Sequence, residues 1–308
     1  MKHFFEEMFF TPKWYHYPLI VILSPLALLY GLMMFIRRRS TARKDFGIPI
    51  VSVGNLIVGG SGKTPFVTAL ASRYEDVTVI SRGYGRQSKG LLKISEEGKI
   101  LTTVEESGDE AMLMAASLPQ ASVIVSEDRH SAIELAKKEG AKLIILDDGF
   151  NRVEIKKFEI LLEPESIQNT LPFPSGAFRE FPFSRKYADI AAKEGQDFRR
   201  NVSFENLTSR MLLVTAISNP QRLDAYLPEG IVHKIYLEDH AYFDEESLQK
   251  SLEKYKAMSL LVTQKDAVKM KNFKLPLSHM KLKLDIGDEI FSEVDRYVNT
   301  YQVENLKE

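Results

Sequence analysis

Cysteine is absent from the 308-residue chain, which excludes disulfides, thiolate metal sites and a cysteine nucleophile. The absence fits a reducing compartment. Excess charge of either sign is also missing. With 41 Lys and Arg against 42 Asp and Glu, the formal net charge is −1, and no global field draws the chain to nucleic acid or to an acidic surface. Any electrostatic partner must be met by a local cluster. Internal repeats and low-complexity tracts are lacking too. What remains is a chain with 44% hydrophobic residues, long enough for one large or two ordinary α/β domains with real cores, and neither disordered nor fibrous.

The most informative stretch is Pro49–Phe66, PIVSVGNLIVGGSGKTPF. An apolar strand runs into a glycine-rich turn that ends in Gly62-Lys63-Thr64. Backbone N–H groups in such a turn converge on a concave anion site, and the following helix aims its positive N-terminus at the same place. Lys63 can reach the outer phosphates and the Thr64 hydroxyl can hold Mg2+. Ile57 stands where the usual G-x-x-x-x-G-K-[ST] pattern has its first glycine, while Gly54, Gly59 and Gly60 keep the turn permissive. The expected nucleotide-binding loop is Ile57, Val58, Gly59, Gly60, Ser61, Gly62, Lys63 and Thr64. A surface turn that merely contains GKT would not explain the order strand, turn, helix, in which Pro65 suits a first helical turn.

A second feature precedes it. From Pro18 to Ile36 the sequence carries no charge, and a helix of that length roughly matches a bilayer's hydrocarbon core. Arg37, Arg38, Arg39, Arg43 and Lys44 follow at once and hold that end in the cytoplasm. Pro25 in the middle, and Phe4, Phe5, Met8, Phe9, Trp14 and Tyr17 before it, keep two readings open: a spanning helix and monotopic insertion. A buried core helix is the alternative to both. A cleaved signal peptide is disfavoured, because the run is long for one and no small-residue cleavage site follows.

Beyond the anchor, β-type runs at Ile50–Val53, Val77–Ser81, Ser122–Val125, Leu143–Leu146, Ile160–Leu162, Met211–Ile217, Val232–Leu237 and Leu260–Thr263 alternate with helical patterns at Thr64–Tyr74, Glu110–Ser117 and Arg129–Glu139. The alternation predicts an α/β fold: a P-loop NTPase-type parallel sheet with helices on both faces, a smaller C-terminal α/β unit, and an N-terminal membrane-anchoring helix. The Pro- and Gly-bearing stretch 164–182 breaks the rhythm, and the polar segment Lys193–Ser209 suggests a boundary. The expected organisation is an anchor at 1–40, a P-loop core at 41–200 and a C-terminal α/β domain at 201–308.

Carboxylates suited to Mg2+ stand at the end of the apolar run Ala141–Phe150, where Asp147 and Asp148 close a strand. Without the upstream GKT, a DDG turn would be no more than a turn. A switch GTPase is disfavoured, because Thr263-Gln264-Lys265-Asp266 has its lysine one position late for guanine reading. Asp109 precedes a helix and His240 follows a strand. From spacing alone, the first is most often an N-cap and the second a solvated loop histidine. Arg82, Arg129 and Arg179 can pair bidentately with substrate phosphate, though surface arginines by default do nothing specific.

Together, VGNLIVGGSGKTP, SRGYGR, GDE, ILDDGF, GAFRE, Asp239-His240 and TQKDAVK, behind an apolar segment with Ser-Pro-Leu, resemble the lipid A 4′-kinase (tetraacyldisaccharide 4′-kinase) family over nearly the full chain. The resemblance implies ATP- and Mg2+-dependent transfer of the γ-phosphoryl group to the 4′-hydroxyl of a tetraacylated glucosamine disaccharide 1-phosphate, at the cytoplasmic face of the inner membrane. It implies Asp109 as the base for that hydroxyl and His240 as its orienting partner. Lys63 and Asp148 complete the catalytic set, and Thr64, Asp147 and Asp148 the metal site. The partners implied are the acylated disaccharide and inner-membrane lipid, with no nucleic acid and no obligatory protein partner. This sequence departs from the family pattern at Asn151-Arg152, at Ala177-Phe178 and at Gln264. The competing reading from another class is a membrane-tethered P-loop ATPase or switch that acts on a protein partner.

Overall fold

A computed structural model describes residues 2–58, 62–163 and 167–305. In chain order, helices α1 (Lys2–Phe10) and α2 (Tyr17–Ser40) lead into strand β1 (Ile50–Gly54), α3 (Lys63–Ala71) and β2 (Val77–Ser81). Strands β3 (Leu92–Glu96) and β4 (Lys99–Ile100), helices α4 (Val104–Ser107) and α5 (Asp109–Ser117), β5 (Ser122–Val125), α6 (Arg129–Lys138) and β6 (Leu143–Asp147) follow. Next come β7 (Phe158–Glu163), β8 (Ile190–Lys193), β9 (Phe198–Glu205), β10 (Met211–Thr215) and β11 (Ile231–Tyr236). The chain ends with α7 (Glu245–Tyr255), β12 (Ser259–Thr263), α8 (Gln264–Ala267), β13 (Leu277–Ile286) and α9 (Asp288–Asn305).

Contacts divide the chain into two compact units, one of residues 1–70, 136–199 and 286–308, the other of 71–135 and 200–285. In the first, β6, β1, β7 and β8 lie side by side and parallel. Every residue of β1 and of β6 is buried. Strands covered on both faces read as continuous apolar runs, which is how both were legible in the sequence. In the second unit, β2 pairs parallel with β5, β3 runs antiparallel to β5, and β4 antiparallel to β3. A five-stranded sheet in the order β11-β10-β12-β13-β9 forms the rest. Its fully buried residues include Leu212, Val214, Leu260 and Val262.

The segment Lys193–Ser209, expected to be a boundary, holds β9, whose residues alternate between more and less buried. Its polar appearance is that of a strand with one wet face.

Helix α2 buries a single stripe of Ile20, Ala27, Gly31 and Arg38. Its other faces stay open, with Val21 66% and Ile22 73% exposed. The Ser175 hydroxyl donates to the Ile20 carbonyl at 3.1 Å, and Gly31 lies so close to the Phe181 ring that a Cβ there would come within 2.7 Å of it. Within Trp14–Ser40 the most apolar 18-residue window has a mean hydropathy of 2.5, and the helix is long and apolar enough to cross a membrane.

Candidate active site

In the first unit, the register pairs Val53 of β1 with Asp147 of β6, so the strand that enters the glycine-rich loop and the strand that ends in the acid pair run together. Parallel strands present their C-terminal ends on one side, where ligands of such sheets bind. The chain then leaves β1 past Gly54, where a Cβ would stand 2.5 Å from that of Phe150. Glycine there lets the phosphate-loop strand and the DDGF turn meet.

Gly59, Gly60 and Ser61 lie outside the described residues. Ile57, in the place of the pattern's first glycine, is buried and forms a β-bridge with Phe178, and the Val58 N–H donates to the Ala177 carbonyl at 2.9 Å. The departure from the phosphate-loop pattern at Ile57 thus pairs with the departure from the family pattern at Ala177-Phe178. Gly62 takes a left-handed φ of 78°, and Lys63, Thr64 and Pro65 form the first turn of α3. Lys63 Nζ donates to Asn55 Oδ1 at 3.2 Å and lies 3.7 Å from Asp148 Oδ1. Arg179 Nη1 contacts both Asp148 carboxylate oxygens, at 3.0 and 2.9 Å. Asp147 is buried at the end of β6, while Asp148 turns with a φ of 55° and stays partly open. The expected loop lysine, acid pair and phosphate-site arginine are therefore neighbours.

In the second unit, Gly108 takes the N-cap position of α5 and Asp109 is its first residue. Asp109 is not the cap. Its carboxylate faces the Nδ1 of His240, 2.9 Å from each oxygen. Asp109 is almost fully buried, whereas the His240 side chain is 20% exposed. Tyr84 packs its ring 5.2 Å from that of His240. The histidine is therefore packed and paired, unlike a solvated loop residue.

Two lysines complete this cluster: Lys265, read from the sequence only as a lysine out of place for guanine reading, and Lys269, which had no role assigned. Lys269 Nζ lies 2.9 Å from Asp109 Oδ2 and is buried, and Lys265 Nζ lies 3.8 Å from Asp109, 3.3 Å from Glu110 and 3.7 Å from Asp239. Burial alone would raise the Asp109 carboxyl. The His240 hydrogen bond and the two ammonium groups outweigh it and hold the group well below the usual carboxylate range. Burial works against the Lys265 ammonium, but Glu110, Asp109 and Asp239 raise it above the ordinary lysine value.

TQKDAVK positions both lysines. Asp266 is fully buried and accepts hydrogen bonds from the Thr215 hydroxyl at 2.7 Å and the Ala216 N–H at 3.0 Å. The Thr263 side chain caps α8. The late lysine that failed a guanine-reading pattern stands beside Asp109. The signal in the sequence was the motif itself, with Lys265 in α8 and Lys269 just past its end, both ammonium groups reaching Asp109.

The remaining arginines differ. Arg82 is exposed, and Arg129 is 2% exposed with its guanidinium donating to the Ser126 carbonyl. Arg129 thus has almost no surface to offer a phosphate.

A family model described as tetraacyldisaccharide-1-P 4′-kinase, LpxK, matches residues 19–298. The chain belongs to the LpxK family. Relatives named tetraacyldisaccharide 4′-kinase agree with this. The one from Helicobacter pylori strain J99 is 48% identical over 309 residues, covering 100% of this chain and 98% of its own. The one from Aliarcobacter butzleri is 44% identical over 96% of this chain and 97% of its own. Campylobacter jejuni NCTC 11168 has one 38% identical over 96% of each. Among solved structures, the chain is similar to the "apo" form of LpxK from Aquifex aeolicus in complex with ATP. The TM-score is 0.76 and the identity 27%, over 91% of this chain and 99% of that one.

Proposed function

We propose that the chain is a tetraacyldisaccharide 4′-kinase that uses ATP, with the phosphate machinery in Lys63, Arg179, Asp147 and Asp148 and the acceptor machinery in Asp109 and His240. The observation that carries this reading is the pairing of Val53 with Asp147, which aligns the GKT-bearing strand with the acid-bearing strand in a chain of this family.

The reaction breaks the bond between the γ-phosphorus and its bridging oxygen, forms a bond to the sugar 4′-oxygen and leaves the hydroxyl proton on a base. Lys63 and Arg179 supply fixed positive charge for phosphate oxygens. Asp109 accepts the hydroxyl's hydrogen bond and then its proton, while His240 Nδ1 fixes the carboxylate's orientation. A loose phosphoryl-transfer transition state has little bonding to the nucleophile. Hence a weakly basic, well-placed carboxylate suffices.

The donor set also fits Mg2+. It consists of hard oxygens from two carboxylates and a hydroxyl, with no soft ligand, which is the kind of sparse protein shell this ion uses beside nucleotide phosphates. Thr64, Asp147 and Asp148 would hold it, and bound Mg2+ neutralises phosphate charge. The Asp109→Ala variant should bind ATP as the wild type does and lose turnover by about 10² to 10⁴. Calorimetry and a labelled-phosphate assay check both. Undiminished turnover would remove Asp109 from the mechanism.

The enzyme works at the cytoplasmic face of the inner membrane, next to its acylated substrate. Arg37, Arg39 and Arg43 are exposed beside the open apolar faces of α2, as a membrane-facing cationic rim requires. The tie at Ile20 and the buried Arg38 lie 18 residues apart, about 27 Å of helix. A helix held by its own domain over nearly the ~30 Å of a hydrocarbon core lies along the membrane surface rather than across it.

A further inference from the structure

Arg38 belongs by sequence to the basic cluster after the apolar run, yet it is the one arginine of that run folded inward. It lies at the last turn of α2. Its Nε donates to Glu180 Oε2 at 2.8 Å and its Nη2 to Glu180 Oε1 at 2.7 Å, with both side chains 2% exposed. Nη2 also donates to the Phe150 carbonyl at 2.9 Å, and the guanidinium sits 4.3 Å from the centre of the Phe150 ring.

Both contacts end on segments of the phosphate cluster. Glu180 follows Arg179, which grips Asp148, and Phe150 closes the turn that bears Asp147 and Asp148. The Ala177–Glu180 strip is itself laced to the glycine-rich loop: Arg179 N–H donates to the Leu56 carbonyl at 2.7 Å, Phe178 bridges Ile57, and Val58 N–H donates to Ala177. One buried guanidinium therefore joins the apolar helix to both turns that carry the phosphate-handling side chains. A planar fork can hold a carboxylate and a carbonyl at once, which a lysine's single ammonium cannot do with the same geometry.

We propose that Arg38 is a positioning residue for the nucleotide-phosphate site, setting Arg179 and Asp148 through Glu180 and the Phe150 carbonyl and so linking that site to the membrane-facing helix. This rests on the reading of Lys63, Asp148 and Arg179 as the phosphate machinery.

The test uses the full chain in detergent, comparing wild type, Lys63→Ala and Arg38→Lys for the dissociation constant of ATP, the half-saturating Mg2+ concentration, kcat, and the KM for the tetraacyldisaccharide. The expected result for Arg38→Lys is a kcat lowered by about tenfold to 10²-fold, weaker ATP binding and a raised Mg2+ requirement, with the lipid KM unchanged within about twofold. A misplaced phosphate site gives that split. If Arg38→Lys does not fold, the paired replacement Arg38→Met with Glu180→Leu removes both buried charges at once, a change that cores tolerate, and it should show the same split. A folded variant with wild-type ATP affinity, Mg2+ requirement and kcat overturns the proposal. So does a folded variant whose lipid KM alone changes. Failure of the underlying reading looks different: there, Lys63→Ala would bind ATP and turn over like the wild type.

Discussion

Asp109 shows how an environment sets a residue's role. Its folded value lies below the unfolded carboxylate value of about 3.9, so its contribution to stability is present above that pH and is lost as the pH falls through the depressed folded value. At neutral pH it stays ionised. Removing one neighbouring ammonium raises the carboxyl, so Lys269→Met should move the acid limb of the kcat/KM profile to higher pH. An unmoved limb would mean that Lys269 does not govern Asp109. From spacing alone, Asp109 read as a cap and His240 as a solvated residue, and only the family pattern brought them together. Local sequence could not do so, because 131 residues separate the pair. Arg38 was hidden for another reason: it stands among solvent-exposed arginines and differs from them only in a partner 142 residues away.

At the scale of elements, the buried parallel strands were the most legible. The Val77–Ser81 and Ser122–Val125 runs coincide with β2 and β5. Strands with a wet face escaped: β9 carries alternating burial and β13 alternates apolar residues with lysines, so neither forms a continuous apolar run. The junction of β1 with the DDGF turn depends on close approach. Gly54→Ala should therefore cost about 1–3 kcal/mol through overpacking against Phe150. Denaturant melting measures this, and an unchanged midpoint would contradict the contact.

For α2, the docked stripe supports the in-plane reading proposed above, and a label on the helix tests it against the spanning one. The chain has no cysteine, so Leu29→Cys, at an exposed position near the middle of the helix, can carry a single environment-sensitive label. In vesicles, depth-dependent quenching should find it about 5–10 Å below the headgroup boundary. A label at the bilayer centre would instead mean a spanning helix.

At the scale of the molecule, near-zero net charge left affinity to local clusters, and two such clusters are Lys63, Arg179 and Asp148 beside the glycine-rich loop and Asp109, His240, Lys265 and Lys269. Sequence named the first almost completely, because a glycine turn and its lysine are contiguous. The second had to be assembled from three distant segments, and its lysines came to light only in three dimensions. The most direct test of the account is transfer of labelled γ-phosphate from ATP, with Mg2+, to detergent-dispersed tetraacyldisaccharide 1-phosphate by the wild type and by Lys63→Ala. Labelled lipid from the wild type, and none or nearly none from the variant, is the predicted result. A wild type that binds ATP yet labels no lipid would contradict the assignment of the acceptor.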